Sequence, residues 1–358
     1  MNRVLNTNKI QLPASILSAS ASATGSSYSR LKDALRSKTW RSLTGWTIVA
    51  GLNDKIDFNR GGAKVATLTA GTYTSSALAT HIIARLEAAD ATPVWACTYS
   101  GTTFKFTISS DLAFTLLWGS GANAAANCAT DLGWAKSDTG SSTSQVATNA
   151  SYTSKAWVKA NMVSAMAATA GIVINHGSAT GTYTLQGNSS DAWTSPSFTQ
   201  VLAGDANIRI AFFAQQTLQW WRLLIDDCGN PRGYSEIGVW YVGTYTEAAK
   251  DFGPAWTKQL IPQNEPVYAI SGAHFVDEKV DRPAWSAISW PGTSVAERDS
   301  LMAAFAVVPK GVPFFFAFDA VTTPTATEYV MLGDAASYTH LEGTYFTIDL
   351  PTLLGVLG

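Results

Sequence analysis

Alternating apolar and polar residues predict β-strands through most of this chain. A period of two runs through residues 64–69 and 182–187, as expected where one face of a strand is buried. An apolar run at residues 157–168 also favours a strand, and the run at 313–318 is typical of a buried strand. The pair Ser100-Gly101 separates the strand-like runs 94–99 and 104–108 and predicts a hairpin turn. The pattern therefore favours a mainly β chain.

Two segments show helical spacing instead. Leu78, Ile82 and Leu86 recur every four residues within 75–89, which predicts an amphipathic helix. Residues 122–132 are interpreted as a second, short helix.

A third helix is predicted after Ser294. Ser294 and Glu297 fit a capping box, in which the serine accepts a backbone hydrogen bond and the glutamate reaches back to the cap. Leu301, Met302 and Phe305 supply the apolar face of the helix that follows.

Changes in pattern along the chain predict three structural units. Residues 1–46 and 149–247 lack the strands to close a core separately, so we expect them to form one discontinuous β-sandwich. Residues 47–148 read as an inserted α+β domain, with a Ser/Thr/Gly-rich linker at 138–151. Residues 248–358 read as a C-terminal β-rich assembly domain with one helix.

Composition excludes several classes of protein. Only 14% of the 358 residues are charged and the formal net charge is −2, against about 25% charged residues in an average domain. No global basic field is available for nucleic acid. No apolar run of transmembrane length is present, and residues 1–9 lack the apolar core of a signal peptide.

The three cysteines are odd in number and far apart, at Cys97, Cys128 and Cys228. Neither a disulfide framework nor a paired-cysteine zinc site is expected from them.

Two separated segments resemble the discoidin-type, galactose-binding-like jelly roll. The opening segment contains Ser18-Ala-Ser-Ala-Ser, Tyr28, Leu31, Asp33, Ala34 and Thr39-Trp40-Arg-Ser42. The closing segment contains Trp221-Arg-Leu-Leu-Ile225 and Gly233-Tyr-Ser-Glu-Ile-Gly-Val-Trp240. The resemblance implies a β-sandwich that buries Trp40 beside Trp221–Ile225.

That family often places a calcium or sugar site among its loops. Asp33 matches an acidic position, but Arg36 and Lys38 follow it and would repel a cation. Calcium takes six to eight oxygen ligands, and no such set can be nominated here. We therefore expect no metal and no cofactor.

The whole layout resembles tail-tip or baseplate proteins of tailed bacteriophages. The resemblance lies in the interrupted sandwich, the low-charge composition and loose motifs at residues 69–74, 132–134, 313–316 and 338–340. It implies a virion component made in the host cytoplasm, which contacts other tail or baseplate proteins and forms a homo-oligomer.

The sequence contains no convincing set of catalytic residues. Gly119-x-Gly121-x-x-Ala124 follows a strand, but the helix after it is too short for a dinucleotide crossover, so a glycine turn is the better interpretation. Asp226 and Asp227 should end a strand, and adjacent strand residues point to opposite faces, so they do not form a glycosidase pair.

Four tryptophans are the candidate contact residues for a ligand or an interface. Trp193, in a predicted loop, is the best ligand candidate. The C-terminal unit has more aromatic residues than its core obviously needs, so some should be exposed at an interface. They are Trp256, Trp285, Trp290 and Phe314–Phe316.

The leading hypothesis is a non-enzymatic structural protein of a bacteriophage virion, acting through protein–protein contacts. The alternative is a carbohydrate-binding adhesion module for a bacterial surface glycan. A glycan depolymerase is a third interpretation. We expect no nucleic-acid partner and no membrane span.

Overall fold

The computed structural model describes residues 2–5, 15–19, 27–32, 39–42, 45–178, 181–262, 265–268, 274–277 and 281–356. Antiparallel strands dominate these ranges, and two α-helices accompany them, Ser75–Ala89 and Val295–Ala306. The prediction of a mainly β fold is confirmed. Within these ranges, no helix has the length and apolar character needed to span a membrane.

Residues 46–147 enclose one hydrophobic core. The predicted helix is present as Ser75–Ala89, with the Thr74 hydroxyl accepting from the Ala77 N–H, and it buries Leu78, Ile82 and Leu86 against the sheet. The five-stranded sheet comprises Lys55–Asn59, Ala63–Thr67, Trp95–Ser100, Lys105–Leu116 and Ser142–Val146. A separate pair joins Trp46–Ile48 to Gly71–Tyr73.

Two expectations for this unit are wrong. Residues 122–132 form two short 3-10 turns, Ala124–Ala126 and Thr130–Leu132, because the Asn127 side chain between them bonds the Trp118 carbonyl at 2.7 Å. The interval 138–151 is not only a linker, because Ser142–Val146 pairs with Lys105–Leu116.

The next sheet contains two 19-residue strands, Ala156–Ile174 and Ile208–Asp226, which pair along most of their length. Its other strands are Ile16–Ala19, Thr182–Asn188, Phe198–Gly204 and Val239–Gly243. A short pair joins Trp40–Arg41 to Glu236–Ile237.

Residues far apart in sequence meet in the core of this sheet. Ile16–Ala19 pairs with Ala156–Ile174, although more than a hundred residues separate them. Trp40 is fully buried in one cluster with Trp221 and Ile225, as the resemblance implied. Asp33, Ala34, Arg36 and Lys38 lie outside the described residues.

The C-terminal unit is built on a seven-stranded sheet. In spatial order its strands are Thr246–Glu247, Arg3–Leu5, Phe314–Ala317, Thr327–Leu332, Leu353–Gly355, Arg282–Ser286 and Thr257–Ile261. A three-stranded sheet of Ser289–Ser294, Tyr345–Asp349 and Ser337–His340 accompanies it, and Glu265–Tyr268 pairs with His274–Asp277.

Arg3–Leu5 corrects the expectation that residues 1–46 all belong to the sandwich. This strand pairs with Phe314–Ala317 in the C-terminal sheet. Since successive strand residues face opposite sides, Val4 enters the C-terminal core while Leu5 enters a second cluster. That second cluster also contains Ile172 of the sandwich sheet and therefore packs the two units together.

One of the two hydrogen bonds of the predicted capping box is present. The Ser294 hydroxyl accepts from the Glu297 N–H at 3.3 Å, and the helix Val295–Ala306 buries Leu301 and Phe305. Glu297 does not reach back to the cap, because its carboxylate accepts from the Ala249 N–H at 2.7 Å.

Candidate functional site

A row of three polar residues crosses the outer face of the sandwich sheet. Lys159, Arg222 and Gln186 occupy directly opposed positions on three neighbouring strands. Trp221 fills the core on the other face, so strand alternation brings Arg222 out onto this row. The Arg222 Nε donates to the Gln186 Oε1 at 2.8 Å.

The loop after the strand Thr182–Asn188 folds over this row. Asp191 accepts from the Lys159 Nζ at 2.5 Å and, with its other oxygen, from the Trp193 Nε1 at 2.6 Å. The Arg222 guanidinium carbon lies 4.5 Å from the centre of the Trp193 ring, within cation–π range. One carboxylate thus fixes both a cation and an aromatic ring.

The buried amide of Asn188 holds the loop in place. Its Nδ2 donates to the Ala192 carbonyl, and its Oδ1 accepts from the Ser197 hydroxyl at 2.8 Å. Asn188 is 7% exposed, so these bonds form away from solvent and restrict the loop that carries Trp193.

The opposite wall comes from the inserted unit, at residues 49–52. Asn53 closes this turn by accepting from the Val49 N–H at 2.7 Å, and Asp54 accepts from the Gly51 N–H at 3.1 Å. Gly51 has φ +73°, a left-handed conformation that favours glycine.

Together the two walls enclose a cleft of about 350 Å³. Its remaining lining residues are Trp157, Lys159, Asp191, Ala192, Trp193, Thr194 and Arg222. We refer to this space as the tryptophan cleft. The Lys159 ammonium also lies 5.3 Å from the ring centre of Trp157 and 5.5 Å from that of Trp220.

Burial and charge tune the ionisable groups of the tryptophan cleft. Burial lowers the pKa of Arg222 to about 10, against the opposing attraction of Asp191, so the guanidinium is still charged at neutral pH. Partial burial works to raise the pKa of Asp191, but hydrogen bonds from Lys159 and Trp193 outweigh it and leave that pKa below its ordinary value. The cleft therefore holds two cations and one carboxylate.

The four candidate tryptophans fall in different surroundings. Trp193 lines the tryptophan cleft, and Trp256, 37% exposed, lines a separate cavity with Phe252 and Phe318. Trp285 and Trp290 are only 2% and 1% exposed. The expectation that these two offer contact surface is corrected, because both pack inside the C-terminal core. The same correction applies to Phe314–Phe316, which are at most 2% exposed.

The carboxylates and the glycine motif have structural partners. The strand ends at Asp226, as predicted, and the two acids diverge: Asp226 lies 3.7 Å from the Lys155 Nζ, whereas Asp227 accepts from the Ser178 hydroxyl at 2.8 Å. Near Gly121, Asp57 accepts from the Asn123 N–H at 2.6 Å. A carboxylate therefore occupies the turn where a dinucleotide phosphate would have to bind.

The histidines and cysteines likewise offer no assembled site among the described residues. His176 is buried and His81 accepts from the Thr69 N–H at 2.9 Å. All three cysteines are free and buried. Within the described ranges, no group of three or more His, Cys, Asp or Glu side chains is placed to hold a metal ion.

Sequence reasoning missed Lys159 and Arg222 as site residues. Both are isolated charges in strands that otherwise read as apolar or aromatic. The available signal was strand alternation, because placing Trp221 in the core places Arg222 on the outer face. The pairing register that joins Arg222 to Lys159 has no local signature in the sequence.

No family model and no curated protein matches this chain. Among solved structures, chitosan-binding module 1 from a chitosanase/glucanase of Paenibacillus sp. IK-5 is 20% identical over 25% of this chain and 67% of that chain, with a TM-score of 0.20. The lectin domain of lectinolysin, complexed with Lewis B antigen, is 9% identical over 25% of this chain and 65% of that chain, with a TM-score of 0.21. Similarities of this size leave function to be argued from the tryptophan cleft itself.

Proposed function

We propose that this protein is a non-enzymatic carbohydrate-binding protein and that its ligand is a bacterial surface glycan. The observation that carries the proposal is the tryptophan cleft, where Trp193 stands beside the polar groups of Lys159, Asp191 and Arg222.

The chemistry of a sugar ring matches this arrangement. A sugar presents C–H groups on its faces and hydroxyl groups at its rim, so an aromatic wall with adjacent donors and acceptors satisfies both. Trp193 supplies the apolar face, and Lys159 and Arg222 supply donors. Each Asp191 oxygen already accepts one hydrogen bond and keeps a second lone pair for a sugar hydroxyl. The cleft volume of about 350 Å³ lies within the usual range for small-ligand pockets.

The cleft is also pre-organised. The bonds from Asn188 fix the loop, and Asp191 fixes the Trp193 ring through its indole N–H. A side chain already held in position loses little entropy on binding. These contacts support a binding surface that exists before the ligand arrives.

A glycan array probed with the purified, fluorescently labelled protein tests this proposal. We expect binding to a restricted set of bacterial glycans, and we expect the Trp193→Ala variant to lose it. Trp256→Ala is the matched control, because Trp256 is a partly exposed tryptophan outside the tryptophan cleft. Absence of binding, or equal loss in both variants, would contradict the proposal. Release of shortened glycan from the array would indicate a depolymerase instead.

A second candidate function is structural, through self-association. The strand Thr257–Ile261 lies at one edge of the seven-stranded sheet among the described strands, and its Leu260 is 63% exposed. Trp256 precedes it, beside a cavity of about 690 Å³. Edge strands carry unpaired backbone donors and acceptors that can pair with another strand. The proposed occupant is the same strand of a second copy.

Light scattering of the parent and of Leu260→Lys tests this second candidate. We expect a dimer or larger assembly that Leu260→Lys dissociates, whereas Val65→Lys, at an exposed valine of the inserted unit, leaves it intact. A monomeric parent would rule it out. The wider proposal of a bacteriophage tail-tip or baseplate location rests on the sequence resemblance, and antibody labelling of purified virions tests it.

A further inference from the structure

The two cations of the tryptophan cleft, Lys159 and Arg222, differ in whether they have a carboxylate partner. Lys159 is engaged by Asp191 at 2.5 Å, and the same carboxylate accepts from Trp193 with its second oxygen. Both oxygens of Asp191 therefore already have a donor. Arg222 is left without a carboxylate of its own, and the lining residues carry one net positive charge.

Arg222 is nevertheless a buried side chain, with only 5% of its surface exposed. Its Nε donates to Gln186, but among the described residues no hydrogen bond ends on its two terminal nitrogens. The Trp193 ring covers the guanidinium at 4.5 Å, and Arg222 lines the cleft. The terminal nitrogens are the part of this side chain that remains to meet a ligand.

A buried guanidinium whose terminal N–H groups have no partner discriminates strongly between charged and neutral ligands. Burial of a charge is costly unless a partner of opposite charge compensates it. The two terminal N–H groups form a planar fork that matches the two oxygens of a carboxylate. Hydroxyl groups of a neutral sugar can accept single hydrogen bonds there but leave the charge uncompensated.

We propose that the tryptophan cleft selects acidic glycans and that Arg222 pairs with the carboxylate of a uronic acid residue while Trp193 packs against the sugar. This inference rests on the proposed carbohydrate-binding function and names its ligand class. One net positive charge matches one carboxylate, whose two oxygens can both accept from the planar fork. A sulfate ester offers oxygens to the same fork, so a sulfated glycan is included among the probes. Asp191 keeps its place because it stays paired with Lys159.

Isothermal titration calorimetry with matched probes tests the inference. The probes are tetragalacturonic acid, its fully methyl-esterified form, which is neutral and similar in shape, and a sulfated galactan tetramer. We expect the acid to bind at least about tenfold more tightly than its ester, as one charge-assisted bidentate contact warrants. Added salt should weaken binding of the acid and leave binding of the ester unchanged.

The Arg222→Gln variant should abolish this preference, because its affinity for the acid should fall to its affinity for the ester. Arg222→Lys retains the charge without the fork and should retain only part of the preference. Circular dichroism of both variants shows whether the sheet is intact, and Arg222→Lys keeps the test usable if Arg222→Gln does not fold.

The outcomes separate this inference from the function on which it rests. An ester or neutral glycan bound as tightly as the acid would overturn the acidic preference and leave carbohydrate binding standing. Tighter binding of the sulfated tetramer would overturn the choice of carboxylate. If none of the probes binds and the glycan array is also blank, both proposals fail.

Discussion

Two Lys–Asp pairs at the junction of the inserted unit and the sandwich have the same chemistry and different surroundings. The Lys155 and Asp131 side chains are 7% and 0% exposed, with Nζ and Oδ2 3.5 Å apart. The Lys159 and Asp191 side chains are 18% and 37% exposed, 2.5 Å apart, and line the tryptophan cleft. The lysines are only four residues apart in the sequence.

The buried pair is enclosed by the protein's own polar groups. Asp131 accepts from the Lys155 N–H at 2.6 Å and from the Asn53 amide at 3.1 Å. Although burial works against the ammonium, the charges of Asp131 and Asp226 outweigh it and raise the pKa of Lys155. This pair fastens the two units together, and its burial keeps both side chains away from any ligand in solvent.

The pair in the cleft is enclosed on one side only. Its carboxylate, Asp191, accepts a hydrogen bond from the Trp193 indole rather than from a group of the inserted unit. The adjacent Arg222 donates to Gln186 and lacks a carboxylate of its own. Residue types alone therefore do not identify a site. What separates the structural ion pair from the binding site here is access: the buried pair is closed off from solvent, whereas Asp191 and Lys159 line an open cleft.

Disrupting the buried Lys155–Asp131 pair should destabilise the fold most strongly. Asp131→Ala should lower the free energy of unfolding by about 3–5 kcal/mol, because it leaves Lys155 buried without its main counter-charge. Urea unfolding followed by tryptophan fluorescence measures this. The double variant Asp131→Ala/Lys155→Met should recover much of the loss, since it removes the uncompensated charge. A loss below about 1 kcal/mol in the single variant would show that the pair is not structural.

Removing the apolar support beneath the sandwich sheet should have an effect of similar size. Trp40→Ala should lower the free energy of unfolding by about 3–5 kcal/mol, because Trp40 is fully buried in a cluster with Trp221. Thermal unfolding checks it, with Trp193→Ala as the matched tryptophan of the cleft. An unchanged melting temperature for Trp40→Ala would contradict its place in the core.

The local elements and the core could be predicted from the sequence more readily than the site. The helix Ser75–Ala89 has its spacing written in Leu78, Ile82 and Leu86, and burial of Trp40 followed from a resemblance spread over two segments. Residues 122–132 were misjudged because side-chain bonds such as that from Asn127 to the Trp118 carbonyl override helical propensity.

The site depends on contacts that are distant in sequence. Trp193 was recognisable as a large aromatic residue in a polar loop. Its partners are set by strand register, which places Lys159 opposite Arg222, and by the turn at 49–52, which belongs to another unit. No local sequence pattern specifies these long-range contacts. The sequence therefore predicted Trp193 as a site residue but did not predict the cleft around it.

A pH titration sharpens the contrast between buried and open groups. Burial, together with the charge of Arg209 and against that of Asp205, lowers the pKa of His176 from 6.5 to about 4. The unfolded chain therefore takes up this proton first as the pH falls, so the contribution of His176 is complete above about pH 7 and is lost between pH 6.5 and 4.

Unfolding at pH 7 and pH 5 measures this loss. We expect the free energy of unfolding to fall by about 2 kcal/mol over that interval through His176. His176→Asn should flatten the change, because an amide oxygen can accept from the Ser178 N–H as the ring Nδ1 does at 3.3 Å without titrating. An equal pH dependence in the variant would exclude His176 as its cause. Glycan binding should hold over the same interval, since the pKa of Asp191 is lowered.

The smallest effect on stability should come from the open pair, and it completes the comparison. Asp191→Ala should cost less than about 1 kcal/mol of unfolding free energy, because its partner Lys159 can turn to solvent. Glycan affinity should nevertheless fall markedly, since Trp193 loses the bond that fixes its ring. Asp191→Asn is the control, because its amide oxygen can still accept from the Trp193 indole and should preserve part of the affinity. Calorimetric titration of both variants, beside their urea unfolding curves, makes the measurement. If Asp191→Ala destabilised the fold as strongly as Asp131→Ala, the cleft would be another structural junction, and the distinction between the two pairs would fail.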